Sequence, residues 1–365
     1  MKFLIITNHS YMLWQFRREV IVELQRRGEV VVSTPFVGHE EDFEAMGCRM
    51  INTELDRRSI NPVTDLRLYR FYKKLIKTEK PDLVITYSIK PNVYGGYACR
   101  RMKIPYCVNV QGLGTAFQKK LMALIAALMY KIALKNAKAV LFENTANAEE
   151  FARGGIVSAD KEIVLHGAGV NLDYYKLEPY PTEEGGIRFL FLGRIMKEKG
   201  VDELFEAAKN LKGKYGDKIK IDLVGFFEDE YKETVNQLAA NGIVTFYGFQ
   251  EEPRPFYAAA HCIVLPSYHE GMSNVLLEAA ATGRALITSD IPGCREAVDD
   301  GVNGFICKGM DSESLAKSMD RFMLLDTASR KGMGMRGRRK MEEEFDKNMV
   351  VNETLTAIVG DTAAG

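Results

Sequence analysis

Short, continuously apolar runs alternate along this chain with stretches whose apolar residues recur every three or four positions. Lys2 to Thr7, Glu29 to Ser33, Leu83 to Tyr87, Tyr106 to Val110, Ala139 to Glu143 and Glu162 to Leu165 read as strands buried on both faces, with helices between them. Leu13 to Arg27 predicts the first helix, and Gly28 stands just past its end, so the opening residues make one βαβ unit. A second series follows at Arg188 to Leu192, Lys218 to Val224, Val244 to Phe246, Cys262 to Leu265, Ala285 to Thr288 and Gly304 to Ile306. Between the two series, residues 171–186 carry two prolines, two glycines and several acids without periodicity, which predicts an interdomain linker. The pattern therefore predicts an α/β chain of two Rossmann-like, doubly wound domains facing across a cleft, spanning residues 1–170 and 187–345. Residues 346–365 are expected to form a C-terminal helix and tail that pack back on the first domain. Strand C-terminal edges and helix N-termini are where such folds bind ligands.

Composition adds little until charge is read by position. Lys plus Arg and Asp plus Glu number 49 each, which speaks against a general nucleic-acid binder. The balance conceals a net +8 in residues 1–170 and a net −8 in the remainder, and residues 51–140 alone hold 17 basic against 5 acidic side chains. So local a basic patch points to phosphate, in anionic lipid or nucleic acid, or is simply a solvated face. The six cysteines form no C-x-x-C pair and have no histidine at zinc-finger spacing, so they read as reduced and mostly buried. The N-terminal apolar run is too short for a signal peptide, and Leu121 to Tyr130 is about half the ~20 residues of a spanning helix. A cytoplasmic protein, peripheral on the inner face of the plasma membrane, is the expectation.

Two loops carry candidate chemistry. After the strand Phe189 to Leu192 comes Gly193-Arg194-Ile195-Met196-Lys197-Glu198-Lys199-Gly200, which puts Arg194 and Lys199 on a strand-to-helix turn. A guanidinium forks onto two phosphate oxygens and an ammonium adds a compact charge, so the pair suits a diphosphate; two solvated loop cations is the plain alternative. The spacing of the glycines is not that of a Walker loop. Further on, Pro266-Ser267-Tyr268-His269-Glu270-Gly271-Met272-Ser273-Asn274 leads into a helix whose N-terminal amides offer a phosphate seat. Seven residues separate Glu270 on that loop from Glu278 in the helix. Each carboxylate needs a partner near a cleft, and ribose or sugar hydroxyls would serve, although a carboxylate paired within its own helix is the commoner use.

On these residues the chain resembles glycosyltransferase family 4, retaining enzymes of the two-Rossmann GT-B architecture, over nearly its whole length. The resemblance is most specific in Gly193-Arg194 to Lys199-Gly200 and in Glu270-Gly271 to Glu278-Ala279-Ala280-Ala281-Thr282-Gly283. It implies that Arg194 and Lys199 hold a donor diphosphate, Glu278 the ribose and Glu270 the transferred sugar. The amides of Gly271, Met272, Ser273 and Asn274 would touch sugar and phosphate, with Gly193 at the turn and Phe249 near the base. Thr86 to Gly96 and Val108 to Phe117 resemble enzymes that extend polyprenyl-diphosphate-linked sugars for capsule, O-antigen or glycoprotein assembly. That implies an acceptor side of Lys90, Asn92, Gln111 and His9. The chain departs from many members at Gln111, where they carry histidine, and at Ser10 to Trp14, where they carry a glycine pair.

The apolar stretch Leu121 to Ala137, flanked by Lys119, Lys120, Lys131, Lys135 and Lys138, fits a helix lying on a membrane surface, or a core helix of the sandwich. Asp65 to Lys80 presents Arg67, Arg70, Lys73, Lys74 and Lys77 beside Leu68, Tyr72, Leu75 and Ile76. No Asp-x-Asp occurs, so positive protein groups are expected to replace a metal at the leaving diphosphate. No cofactor and no metal are expected, and His9 and His269 are candidate proton carriers. The resemblance favours a UDP-linked donor carrying an N-acetylhexosamine, with a hexose or a uronic acid as alternatives, a lipid-linked sugar acceptor and an anionic membrane surface, with no nucleic acid. An epimerase or phosphorylase on the same architecture and a non-catalytic nucleotide-sugar scaffold are the rival readings.

Overall fold

The computed structural model describes residues 1–53, 61–112 and 120–360. The chain divides into two compact units, Met1–Ala168 with Met349–Gly365, and Gly169–Asn348.

In the first unit β1 (Lys2–Ile6), β2 (Glu29–Thr34), β3 (Arg49–Asn52), β4 (Leu83–Tyr87), β5 (Tyr106–Val110), β6 (Ala139–Phe142) and β7 (Glu162–Val164) form one parallel sheet in the order β3-β2-β1-β4-β5-β6-β7. The central strands are apolar at nearly every position because both faces are covered. Leu4, Ile6, Val84 and Val108 join one core with the helices Pro62–Glu79 and Lys120–Leu134, while Phe3, Ile5, Val30 and Val32 face the other way. That second core takes in the helix Ser10–Gln25 and the closing helix Lys347–Val359, whose Val350, Val351, Leu355 and Ile358 are buried in it.

The second unit holds β8 (Ile187–Leu192), β9 (Ile219–Val224), β10 (Thr245–Phe246), β11 (Cys262–Leu265), β12 (Ala285–Ser289) and β13 (Gly304–Cys307). They form a parallel sheet in the order β10-β9-β8-β11-β12-β13. Each sheet reverses its winding once, between β1 and β4 in the first unit and between β8 and β11 in the second. Chain leaving the strand ends at such a reversal splays to opposite faces and opens a crevice.

Residues 171–186 are not a linker. The chain passes between the units at 168/169 and 348/349, and residues 171–186 form a strap fastened to the second unit. Buried Arg284 donates to the carbonyls of Glu178 and Pro179, Arg330 pairs with Glu183 at 2.7 Å, and Glu178 N reaches Thr282 O. Guanidinium groups arriving from more than a hundred residues away satisfy a backbone that has no periodic structure of its own.

All six cysteines are free and buried. Among the described residues no helix is long and apolar enough to cross a membrane.

Candidate functional site

In the second unit the loop after β8 and the loop after β11 lie side by side at the winding reversal. Gly200 makes this approach possible. Its φ is +70°, and a Cβ there would stand 2.0 Å from the Pro266 carbonyl oxygen. Tyr268 N donates to Glu198 O at 2.8 Å and ties the loops again. Lys199 Nζ thereby meets Glu270 Oε1 at 2.5 Å, and Ser267 Oγ donates to the same oxygen at 2.8 Å. Arg194 is exposed and faces Glu228 Oε2 at 3.5 Å. Both expected cations are thus at the rim, each balanced by a carboxylate that an anionic ligand would have to share or displace.

The helix Asn274–Ala281 starts on the same rim with Ser273 as its N-cap. Ser273 is buried and its amide donates to Gly293 O at 2.8 Å, so that amide is engaged within the protein. The Met272 side chain lies in the core, which leaves only its backbone for a ligand. Gly293, at φ +83°, lets this segment close against Gly271, whose carbonyl oxygen lies 2.5 Å from where a Cβ would sit.

Glu278 is 7% exposed. The Tyr257 hydroxyl donates to its Oε2 at 2.8 Å. Burial pushes its carboxyl up to about 7, against the lowering effect of the Tyr257 and Tyr175 hydroxyls and the Lys347 charge. His269, expected as a proton carrier, is exposed on the loop.

Phe249 is 54% exposed and packs edge to face with Phe226, 44% exposed, at 6.1 Å between centroids. Sequence reasoning missed Phe226. The signal was available: Leu192-Gly193-Arg194, Val224-Gly225-Phe226 and Tyr247-Gly248-Phe249 each leave a strand through glycine into a large side chain. Gly225 N donates to Gly248 O at 2.9 Å, and a Cβ at Gly225 would collide with Gly193 O at 1.8 Å. Three neighbouring strands therefore end in register and present Arg194, Phe226 and Phe249 along one edge.

In the first unit Asn8, Ser88 and Gln111 follow β1, β4 and β5 and come together. Ser88 Oγ donates to Asn8 Oδ1 at 2.8 Å and lies 3.4 Å from Gln111 Oε1, while Gln111 Nε2 reaches Met12 Sδ. Ser88 holds φ +74°, a left-handed conformation that costs a non-glycine residue about 1 kcal/mol or more. Neither Ser88 nor Asn8 stands out in the sequence as a site residue. His9 caps the helix Ser10–Gln25 by accepting Met12 N on Nδ1. Lys90 pairs with Asp65 at 3.0 Å, and Tyr94 donates to the same carboxylate at 2.8 Å.

Asn92 is a correction. It is 1% exposed and donates to Asn109 O at 2.8 Å, because the turn of helix after Lys90 carries it into the core. It holds β5 in place and offers nothing to an acceptor. Leu113 to Phe117, and Lys119 with the Lys120 side chain, lie outside the described residues.

The helix Lys120–Leu134 divides its apolar residues between two sides. Tyr130, Ala133 and Leu134 are buried, while Leu124 (69% exposed), Ile125, Leu128 and Ile132 face outward beside Lys131 and Lys135. It packs beside Gly96–Met102, which packs beside Pro62–Glu79 with exposed Val63, Leu66, Arg67, Arg70, Lys73, Lys74 and Lys77. Among the described residues no three His, Cys, Asp or Glu side chains gather as metal ligands.

The chain is similar to known glycosyltransferases in sequence and in fold. The family model described as Glycosyl transferase 4-like matches residues 2–144, and that of Glycosyl transferases group 1 matches residues 177–340. The chain is 28% identical, over 84% of its length and 85% of the relative's, to N,N'-diacetylbacillosaminyl-diphospho-undecaprenol alpha-1,3-N-acetylgalactosaminyltransferase of Campylobacter jejuni. It is 26% identical, over 79% of its length and 81% of the relative's, to a capsular polysaccharide biosynthesis glycosyltransferase of Staphylococcus aureus. The crystal structure of Anabaena HepE in complex with UDP and glucose superposes with a TM-score of 0.79 at 20% identity, covering 98% of this chain and 100% of that one.

Proposed function

Because this chain belongs to the family 4 glycosyltransferases of GT-B fold, we propose that it moves an N-acetylhexosamine from a UDP-sugar to a polyprenyl-diphosphate-linked sugar, with retention and without a metal. The observation that carries the reading is the pairing of the two loops at the β8/β11 reversal, where Arg194, Lys199 and a helix N-terminus share one rim with Glu270.

The mechanism follows from charge. As the bond from the sugar to the diphosphate breaks, negative charge grows on the leaving oxygen. Arg194 and Lys199 supply fixed positive charge there, aided by the first turn of Asn274–Ala281. Glu270, held by Lys199 and Ser267, meets hydroxyls of the transferred sugar. Binding the diphosphate draws Lys199 toward phosphate and loosens Glu270 for that role. Glu278 takes the ribose hydroxyls, and Phe249 with Phe226 offers a stacking surface for the base. Retention means that the acceptor hydroxyl attacks from the side the diphosphate leaves.

The acceptor is read from the first unit. Lys90 would meet the acceptor diphosphate, released from Asp65, and His9 and Gln111 with Asn8 and Ser88 would surround the acceptor sugar. The Campylobacter relative's name specifies a diphospho-undecaprenol acceptor and N-acetylgalactosamine transfer, which supports this class of substrate. The exposed stripe Leu124, Ile125, Leu128 and Ile132, framed by cations on three neighbouring helices, supports docking on an anionic leaflet. Each cation near such a surface contributes about 1 kcal/mol.

Calorimetric binding of UDP to wild type, Arg194→Ala and Lys199→Ala tests the donor side. A loss of at least tenfold in each variant is expected; affinity unchanged in both would end the diphosphate assignment.

A further inference from the structure

Around Glu278 lies a buried polar cluster that takes no part in the steps of transfer. Tyr257 comes from the helix Arg254–Ala259 and donates to the carboxylate at 2.8 Å. Tyr175 comes from the strap, hydrogen bonds the same carboxylate, and meets the Tyr257 ring edge to face at 6.1 Å. Lys347, 5% exposed, opens the closing helix and acts on Glu278 through its charge.

The backbone fixes each of these groups. Val170 N donates to Phe345 O at 2.7 Å and Lys347 N to Val170 O at 3.0 Å, so the first and last segments of the second unit run side by side. Arg338 donates to the carbonyls of Tyr175 and Ala281, at 3.0 and 2.9 Å, and ties the strap to the end of the helix that bears Glu278. Two separate segments thus bring hydroxyls to one buried carboxylate, and a third buries the Lys347 charge where it favours the ionised form. As a packing device this is poor, since apolar side chains of similar volume fill such a space at no desolvation cost. As a device for presenting an ionised carboxylate it is apt. A carboxylate has about four lone-pair positions, and two tyrosine hydroxyls leave capacity for a pair of ligand hydroxyls.

We propose that Lys347, Tyr257 and Tyr175 are positioning residues that oppose the protonation of buried Glu278 and orient it for the ribose hydroxyls of the donor. The proposal rests on the reading that Glu278 meets the ribose. The other titratable group coupled to Glu278 is Tyr174 on residues 171–186, while the nearby Arg338 guanidinium is taken up by the Tyr175 and Ala281 carbonyls and by Glu342. Only the ionised carboxylate accepts from both ribose hydroxyls. With its carboxyl near 7, donor affinity should rise as pH rises through neutrality.

The test is calorimetric binding of UDP-N-acetylgalactosamine without acceptor, between about pH 5.5 and about pH 9, a range in which its diphosphate diester does not titrate. Wild type should tighten with a midpoint near neutrality. Lys347→Met and Tyr257→Phe should move the midpoint up by about one unit or more, lowering affinity at pH 7 several-fold and recovering it at high pH. Lys347→Arg should restore the wild-type profile. A merely structural role would weaken binding at every pH and give no recovery. Glu278→Gln should bind weakly with a flat profile.

If Glu278→Gln is flat while Lys347→Met and Tyr257→Phe keep the wild-type midpoint, the positioning proposal is wrong and the ribose reading stands. If Glu278→Gln binds like wild type, the ribose reading itself fails. Should Lys347→Met not fold, Tyr257→Phe and Tyr175→Phe decide the question, since each removes a single oxygen atom.

Discussion

Replacing Gly200 with alanine probes the junction of the two loops that carry the proposed donor site. The backbone at Gly200 has φ +70°, and the new methyl would stand 2.0 Å from the Pro266 carbonyl oxygen. Left-handed backbone costs a residue with a Cβ about 1 kcal/mol or more, and overpacking that forces backbone to move costs roughly 1–3 kcal/mol. A total of about 3 kcal/mol follows, equivalent to a melting temperature lower by roughly 10 °C in a domain of this size. The displacement has a functional consequence too. Parting the loops breaks the bond from Tyr268 N to Glu198 O and carries Lys199 away from Glu270, so UDP affinity should fall at least tenfold. Gly213 is the control. It lies in the helix Val201–Tyr215 with nothing within 4 Å of where a methyl would stand, and Gly213→Ala should gain about 0.5 kcal/mol. Differential scanning calorimetry with UDP titration reads both quantities. A Gly200→Ala protein that melts within about 2 °C of wild type and binds UDP normally would refute the reasoning.

Further expectations concern charge. Glu278, raised from 4.5 to about 7 in the folded protein, makes the native state hold a proton the unfolded chain releases, so stability falls by about 3 kcal/mol as pH rises across that window. Buried His261 accepts Arg188 N on Nδ1 and is pushed down from 6.5 to about 4, so stability instead falls by about 3 kcal/mol as pH drops through that range. The two slopes oppose each other between about pH 4.5 and about pH 6.5. Urea unfolding of Glu278→Gln should therefore show stability rising with pH there, and a flat or falling profile would contradict the assignment. Removing Lys199 or Arg194 should lower transfer by more than tenfold while circular dichroism stays native; near-normal rates in both would remove them from the site. Leu124→Glu with Leu128→Glu should abolish flotation with anionic vesicles and leave UDP binding intact, whereas unchanged flotation would dismiss the lipid-facing stripe.

How much of the fold and site is legible in the sequence depends on whether the determining partner lies nearby. Strands such as Phe3 to Ile6 declare themselves because burial on both faces demands apolar residues at every position. β3 escapes notice because Arg-Met-Ile-Asn at the sheet edge mixes exposed and half-buried positions and shows no such run. Gly200 and Lys199 are readable as a phosphate-type loop, but the pairing of Lys199 with Glu270 crosses 71 residues and needs the β8/β11 reversal to bring it about. The strap 171–186 misleads because its order comes from Arg284 and Arg330 and not from its own pattern. Asn92 misleads in the opposite way: it sits two residues from Lys90 in sequence, yet a helical turn points it inward. Ser88 carries its signal in a backbone angle, which residue type does not disclose.

The most direct test is a transfer assay with UDP-N-acetylgalactosamine and other UDP-sugars against a polyprenyl-diphosphate-linked sugar in anionic vesicles, with and without EDTA. The account predicts one donor whose sugar appears on the lipid in α linkage, UDP released in equal amount, and no loss with EDTA. Donor binding with no transfer to any lipid-linked acceptor, or transfer abolished by EDTA, would contradict it.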